Sequence, residues 1–189
     1  IKELLSHEPT AELIAELAQD KRVAVQKLLQ SYHKRIEKAA LEKERFYKML
    51  SYERQYYGEG AKLIAGIDEA GRGPLAGPLV IAAVILPEDV FISGLNDSKQ
   101  ISASKRAKLY DEVLQKVISV SVNIVSISNI DELNIYRATQ VGMSEVLLSL
   151  DVRPDVALID AMPVEAEDIK TVSLVHGDAL SASIAAASI

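Results

Sequence analysis

Two adjacent carboxylates stand between two apolar runs in the segment Leu63–Pro78 and the residues that follow it. The apolar runs, 63–67 and 78–86, predict a buried strand, a tight turn rich in glycine and proline, and a partner strand. Burying unpaired carboxylates is costly, so a core strand has no use for Asp68 and Glu69 at its end. These two side chains therefore indicate a bound cation or a basic partner.

An arginine between two glycines follows these acids directly. Gly71 and Gly73 would let the backbone approach a ligand closely. The guanidinium of Arg72 can bind two phosphate oxygens at once, which a lysine cannot do. Together with the two acids, this segment predicts a metal site next to a nucleic-acid backbone.

The composition is that of a globular protein with a real core. About half of the 189 residues are hydrophobic, a quarter are charged, and cysteine is absent, which excludes disulfides and thiolate metal sites. The lack of cysteine suits a reducing compartment, and we expect a cytoplasmic protein. No apolar run approaches the roughly 20 residues of a membrane span, and the acidic residues within 1–20 are not typical of a signal peptide.

The charge is distributed unevenly along the chain. The net charge of −6 argues against a nucleic-acid partner at first sight, but residues 1–60 carry +1 and residues 61–189 carry −7. An acidic domain can still bind nucleic acid if its acids surround divalent cations and its few basic residues line the binding groove. Overall charge alone does not exclude that partner.

Residues 1–60 are predicted to form a helical extension. Thr10, after Glu8 and Pro9, would cap a first helix, and apolar residues at spacings of three and four predict a second helix from Val23 to Tyr56. Gly58-Glu59-Gly60 would end this arm and form a linker. The basic residues of the second helix fit a solvated face with i,i+4 charge pairs or an arm that touches a duplex backbone, and the sequence leaves both open.

Residues 61–189 alternate between strand and helix patterns, which predicts an α/β layered domain. The predicted helices cover 103–116 with Ser102 as the cap, 129–150, and 179 to the end of the chain. The predicted strands are 63–67, 78–86, 117–127, 156–160 and 171–175.

Four acids are candidates for one metal site. Asp68 and Glu69 close the first predicted strand, Asp160 closes another, and Asp178 opens the last helix. Phosphodiester hydrolysis with divalent cations needs several carboxylates in one small volume. Each acid also has a structural explanation: a strand exit paired with Arg72, a turn, or a helix N-cap. The residues alone leave both interpretations open.

Four segments, in order, resemble one known family. They are Gly66-Ile67-Asp68-Glu69-Ala70-Gly71-Arg72-Gly73, then Leu95-Asn96-Asp97-Ser98-Lys99, Leu158-Ile159-Asp160, and Gly177-Asp178 followed by 183–189. This series is similar to the type 2 ribonucleases H, and within them to the bacterial ribonuclease HII family. The resemblance runs from about Leu63 to the last residue.

The resemblance implies a ribonuclease H-like fold, a mixed five-stranded sheet flanked by helices. It also implies an endonuclease that hydrolyses the RNA strand of RNA–DNA hybrids and cuts at ribonucleotides embedded in duplex DNA, leaving a 5′-phosphate. Two Mg²⁺ or Mn²⁺ ions would serve catalysis, and no membrane is involved. We expect a monomer.

The family's site residues fall on matching positions of this chain. The resemblance implies Asp68, Glu69 and Asp160 as metal ligands and Asp178 as the fourth catalytic acid. It implies that Gly71, Arg72 and Gly73 contact the 2′-hydroxyl of a ribonucleotide and that Lys99 contacts a phosphate.

The chain departs from the family pattern in two places. His176 stands where the family commonly has lysine, so a phosphate contact there would need a protonated ring. The family also continues past the position of Ile189 with further helices and a tyrosine that stacks on substrate, so we expect the C-terminal part of the catalytic domain to be missing here. Two alternatives stay open: a catalytically impaired fragment that binds nucleic acid, and another ribonuclease H-like nuclease, such as a resolvase.

Overall fold

The computed structural model describes residues 1–5, 9–73 and 77–189. Glu8, part of the predicted capping segment, and residues 74–76 of the predicted turn after Gly73 lie outside the described residues. The chain divides into two compact units, Ile1–Arg45 and Phe46–Ile189. This division by contacts differs from the boundary after residue 60 that the glycine-rich linker predicts, so the linker stays a prediction.

The first unit is helical. Helix α1 spans Ala11–Gln19, and its predicted cap is confirmed because the Thr10 hydroxyl accepts a hydrogen bond from the Leu13 amide at 3.3 Å. Helix α2 begins at Val23 and ends at Met49. Leu17 and Leu29 are buried against Leu5 and Val25 in a small apolar cluster. The predicted first helix and its apolar face are therefore present.

The second helix does not run unbroken to Tyr56, as its apolar pattern predicted. A separate helix α3 covers Ser51–Gly58, and Leu50 between the two has φ −86° and ψ 11°, which is outside the helical range. Leu50 is buried with Phe46 and Met49 in an apolar cluster of the second unit. Neither glycine nor proline marks this break, so the sequence pattern does not reveal it.

The second unit contains the five-stranded mixed sheet that the family resemblance implied, with strand order β3-β2-β1-β4-β5. β1 pairs antiparallel with β2 and parallel with β4, β2 pairs antiparallel with β3, and β4 pairs parallel with β5. The strands are β1 Ile64–Ala70, β2 Leu79–Ile85, β3 Ser119–Val125, β4 Val156–Asp160 and β5 Lys170–Leu174. β4 has the predicted bounds, and the other four lie within three residues of theirs.

The helices of this unit are mostly where the pattern placed them. A short 3₁₀ turn covers Ser98–Gln100, and the further helices are α4 Ala103–Lys116, α5 Ile127–Leu133, α6 Ile135–Leu148, α7 Gly177–Leu180 and α8 Ala182–Ala187. Ser102 caps α4 as predicted. None of the helices in the described part of the chain combines the length and apolarity that crossing a bilayer requires.

Two predicted helices are each divided in two. The helix expected over 129–150 breaks at Asn134, whose positive φ of 64° leaves the helix and whose side chain caps α6 by accepting from the Arg137 amide. The helix expected from 179 onward breaks at Ser181, which has an extended φ of −127° and caps α8 with its hydroxyl. In both cases a polar side chain that can cap a helix replaces one backbone helical bond.

The two faces of the sheet are covered by different helices. Ala65 and Ile67 of β1 pack in the main core together with Met143 and Leu147 of α6. On the other face, α8 lies directly against β1, since a Cβ at Gly66 would come within 2.0 Å of the Ser183 carbonyl carbon. Only glycine permits this approach, which brings the α7–α8 segment to the strand that carries Asp68.

Candidate metal centre

Asp68 lies inside β1 rather than after its end. The strand was predicted to stop at Ile67, but the antiparallel ladder with β2 continues through Ala70, which pairs with Val80. The pattern underestimated the strand because a buried acid normally argues against strand interior. Asp68 is 7% exposed, and its Oδ1 accepts a hydrogen bond from the Glu69 amide at 2.7 Å.

Asp160 is the last residue of β4, the parallel neighbour of β1. Ile159 is the register partner of Ile67, so Asp160 and Asp68 follow equivalent positions and their side chains leave the same face of the sheet. The Asp160 Oδ1 accepts a hydrogen bond from the Gly177 amide at 2.7 Å. This bond ties the end of β4 to the start of α7.

Asp178 lies in the first turn of α7 and is 5% exposed. One carboxylate oxygen from each of Asp68, Asp160 and Asp178 lies within 4.8 Å of the other two. Carboxylate oxygens at such separations are the ligands that Mg²⁺ and Mn²⁺ accept. The structure thus brings three of the four predicted acids into one small volume.

The electrostatics of this acid cluster (Asp68, Asp160 and Asp178) fit a cation. Burial, together with the charges of Asp160, Glu69 and Asp178, raises the pKa of Asp68 to about 8. Burial, then the charges of Asp97 and Asp160, also raises the pKa of Asp178. Without a cation the protein must protonate some of these acids near neutral pH, and a divalent ion would remove that need.

Glu69 is not part of the acid cluster. It follows Asp68 within the strand, and its Oε1 lies 3.4 Å from the Arg72 Nη1. The charges of Asp160 and Lys99 also act on its carboxyl group, so it lies near the cluster. Burial raises the pKa of Glu69, and the Arg72 charge opposes that shift. Its buried Oε2 has no hydrogen-bond partner within residues 1–5, 9–73 and 77–189. Glu69 as a metal ligand stays a prediction.

The Gly71-Arg72-Gly73 segment follows β1 at the surface. Gly71 has φ +97°, and a Cβ there would lie 2.5 Å from the Pro78 carbonyl oxygen, so this position requires glycine. Gly73 is exposed, and no heavy atom of the described residues lies within 4 Å of a Cβ built there. Arg72 and Gly73 are therefore accessible to a ligand close to Glu69.

Lys99 reaches the acid cluster from the 3₁₀ turn. Its Nζ lies 3.7 Å from the Asp178 Oδ2, while 81% of its side chain is exposed. The turn is held by Asp97, whose Oδ1 accepts a hydrogen bond from the Lys99 amide at 2.8 Å, and by Arg106, whose Nη2 donates to the Ser98 carbonyl at 2.8 Å. Lys99 thus presents an ammonium group to solvent beside the acids.

Asp97 is a residue near the site that the sequence analysis did not single out. Asp97 and Asp178 share a side-chain hydrogen bond. Although burial opposes the shift, the amide and the charge of Lys99 hold the pKa of Asp97 below its usual value. The sequence could have indicated Asp97 as a site residue, because it lies in the same motif as Lys99.

His176 lies at the start of α7, directly before Gly177. It has a left-handed backbone conformation with φ 58° and is exposed, and its side chain does not cap the helix. A phosphate contact that needs a protonated ring at this position stays a prediction.

Family models describe almost the whole chain. The model for "Ribonuclease HII" matches residues 65–189. The model for "Ribonuclease HII N-terminal domain" matches residues 1–57.

Curated relatives are similar over the full length of this chain. A protein named "Ribonuclease HII" from Ligilactobacillus salivarius is 47% identical over 189 residues, which is 100% of this chain and 74% of the relative. One with the same name from Bacillus anthracis is 49% identical over 189 residues, again 100% of this chain and 72% of the relative.

Solved structures share the fold over about two thirds of this chain. The ribonuclease H2 from Pyrococcus horikoshii is 27% identical with a TM-score of 0.59, covering 67% of this chain and 68% of that one. A structure of the PCNA:RNase HII complex from Archaeoglobus fulgidus gives 29% identity and a TM-score of 0.57, covering 67% and 69%. Bst-RNase HIII in complex with Mn²⁺ has a TM-score of 0.51 at 17% identity, with 67% and 49% covered, so it supports the fold alone.

Proposed function

The chain belongs to the ribonuclease HII family and is a ribonuclease H enzyme, and we propose that it hydrolyses the RNA strand of RNA–DNA hybrids and cuts at ribonucleotides embedded in duplex DNA. The observation that carries this proposal is the acid cluster, in which the buried carboxylates of Asp68 and Asp178 and the half-buried carboxylate of Asp160 come within 4.8 Å of one another. A purely structural role does not explain three acids gathered in so small a volume.

We propose that Asp68, Asp160 and Asp178 hold Mg²⁺ or Mn²⁺, with the predicted Glu69 as a further ligand. The fit rests on the donor set, because all of these groups offer hard oxygen atoms, and on the raised pKa of Asp68, which a bound cation would lower. When bound, two such ions supply activation of a water molecule and stabilisation of the leaving oxygen in phosphodiester hydrolysis.

The chain's own residues would seat the nucleic acid around the acids. The exposed ammonium of Lys99 lies where a phosphate next to the cluster would need a counter-charge. Arg72 offers a second cation that can bind two phosphate oxygens. The backbone amides beside Gly71 and Gly73 are suited to a 2′-hydroxyl, which is the group that distinguishes RNA from DNA.

The products and the setting follow from the same proposal. Hydrolysis on the 5′ side of a ribonucleotide would leave a 3′-hydroxyl on one strand end and a 5′-phosphate on the other. We propose that the protein acts as a monomer in the cytoplasm. Lys99 and Arg72 would seat the scissile phosphate beside Asp160 and Asp178.

A substrate panel tests the proposal. The protein is incubated with an RNA–DNA hybrid, a DNA duplex with one embedded ribonucleotide, and an all-DNA branched or duplex substrate, each with Mg²⁺, Mn²⁺ or EDTA. We expect metal-dependent cleavage of the two substrates that contain RNA and none of the third. Cleavage of the all-DNA substrate would favour a resolvase-type nuclease, and binding without cleavage would favour the catalytically impaired alternative.

A further inference from the structure

Glu53 is a buried carboxyl group outside the acid cluster. It lies in α3 and is 1% exposed. Its Oε1 accepts two hydrogen bonds, from the Ser181 hydroxyl at 2.6 Å and from the Ser183 amide at 2.9 Å. Its Oε2 is buried and has no hydrogen-bond partner in the described part of the chain. A carboxyl group in such a position is costly, so its contacts require an explanation.

Both of its donors belong to the junction between α7 and α8. The Ser181 amide donates to the Gly177 carbonyl at 2.8 Å, which closes α7. The Ser181 hydroxyl also accepts from the Ile184 amide at 3.2 Å, which caps α8. A single oxygen of Glu53 therefore binds the residue at which the chain leaves one helix and enters the next.

The opposite side of the junction is held by β1. The backbone of Ser183 packs so closely on Gly66 that no side chain fits between them. The junction is thus fixed between α3 on one side and β1 on the other. Such contacts leave little freedom for the short helix α7, which has only four residues, Gly177–Leu180.

Asp178 is three residues before Ser181, about one helical turn away. A shift of the junction would therefore move the Asp178 carboxylate relative to Asp68 and Asp160. We propose that Glu53 is a positioning residue for the metal centre, which holds the α7–α8 junction so that Asp178 stays within reach of the other two acids. This inference rests on the proposed metal-binding function of the cluster.

Glu53 holds the junction through its hydrogen-bond acceptor oxygen rather than through a negative charge. Burial raises the pKa of Glu53, while the hydrogen bonds from Ser181 and Ser183 oppose that shift. A neutral glutamine at this position keeps an acceptor oxygen for both donors. Glu53→Gln should therefore preserve the junction, and Glu53→Ala should release it.

The test is Mn²⁺ binding, measured by titration calorimetry on the whole chain without substrate. Outer contacts that orient metal ligands change metal affinity by about 10- to 100-fold, so Glu53→Ala should weaken Mn²⁺ binding by about tenfold and Glu53→Gln by less than about twofold. Gln55→Ala is the matched control, because Gln55 lies on the same helix, is exposed, and its side-chain amide donates to Glu59 rather than to the α7–α8 junction. It should bind Mn²⁺ as the unmodified protein does.

A double-mutant cycle separates positioning from general destabilisation. In an Asp178→Asn background, Glu53→Ala should weaken Mn²⁺ binding no further, although it should still lower the thermal unfolding midpoint. Equal weakening in both backgrounds, or a Glu53→Gln variant as impaired as Glu53→Ala, would overturn the proposal. If Glu53→Ala does not fold, Ser181→Ala replaces it in the same cycle with the same expected outcomes. No Mn²⁺ binding by the unmodified protein would instead contradict the proposed function.

Discussion

Ile67 of β1 and Ile159 of β4 are register partners in a parallel pair of strands. Both side chains pack in the main core. The residue after each, Asp68 and Asp160, therefore leaves the other face of the sheet, where α7 adds Asp178. One parallel register thus determines both the burial of the core and the convergence of the acids.

Asp68→Asn should abolish cleavage while leaving the protein folded. The amide is similar in size to the carboxylate but offers a neutral oxygen, so the cluster loses one charged ligand. We expect kcat to fall by about a thousandfold, the upper end for removal of one group that stabilises a transition-state charge. A kcat within about tenfold of that of the unmodified protein, in a variant that still unfolds cooperatively, would contradict the assignment of Asp68. Asp111→Asn, which changes an exposed acid of α4, is the matched control and should retain full activity.

The metal-free protein should lose stability as the pH rises from about 4 to 8. The pKa of Asp68 is raised to about 8 in the folded state by burial and neighbouring charges, against about 3.9 when unfolded. Between these values the folded state binds more protons, so the free energy of unfolding falls as the pH increases. The raised pKa values of Asp178 and Glu53 add a change of the same sign.

Thermal unfolding from pH 5 to 8, in EDTA and in saturating Mg²⁺, measures this effect. Mg²⁺ should flatten the decline because a cation stabilises the ionised carboxylates. Asp68→Asn should also flatten the decline in EDTA and should raise the midpoint at pH 8. A decline of equal slope in EDTA and Mg²⁺ would show that the acid cluster does not bind the ion.

Gly66→Ala should destabilise the second unit strongly. Its Cβ would lie 2.0 Å from the Ser183 carbonyl carbon, and backbone atoms cannot rotate away as a side chain can. We expect a loss of about 3 kcal/mol or more in the free energy of unfolding, at or above the upper end for overpacked sites. Denaturant unfolding measures this loss of stability. Gly58→Ala is the control, because no heavy atom of the described chain lies within 4 Å of a Cβ at Gly58. An unchanged free energy of unfolding in Gly66→Ala would disprove the close packing of α8 on β1.

Lys99→Ala should weaken substrate binding more than it slows the chemical step. Its ammonium is exposed beside Asp178. Loss of one phosphate contact lowers the slope of log binding constant against log salt concentration by about one. We expect KM to rise by about three- to tenfold with little change in kcat, since each such contact is worth about 1 kcal/mol. Lys99→Arg should restore most of the affinity. The exposed Lys108 on α4 provides the control, and an equal effect of Lys108→Ala would indicate a general loss of charge instead.

The sequence predicted the elements of the sheet well because their patterns are local. Apolar runs identified all five strands, and β4 has the predicted bounds. Helix α4 was also predicted at its observed bounds, because Ser102 marks its start. For these strands and for α4, the local signal of an apolar run or a capping residue is sufficient.

The differences arise where a distant contact overrides the local pattern. Ser181 interrupts a predicted helix while bonding to Glu53, which is 128 residues away in the sequence. β1 extends through Asp68 because β2 continues to pair with it. In both cases the partner lies on another element, so the periodicity of one segment cannot reveal it.

In the candidate site, too, residues within motifs were predicted from the sequence, and residues that depend on distant contacts were not. The acids Asp68, Asp160 and Asp178 were identified from motifs, and the structure brings them together. Glu69 was assigned as a ligand from the same motif as Asp68; its carboxylate lies 3.4 Å from Arg72, and its role as a ligand stays a prediction. Glu53 carries no motif, and only its burial against the α7–α8 junction indicates a role.

The most direct test is cleavage by this chain of a DNA duplex that contains a single ribonucleotide, measured with Mg²⁺ and with EDTA. The account predicts a cut on the 5′ side of the ribonucleotide that requires Mg²⁺ and is lost in Asp68→Asn. A cut that persists in EDTA or in Asp68→Asn would contradict the assignment of the acid cluster as the catalytic metal centre.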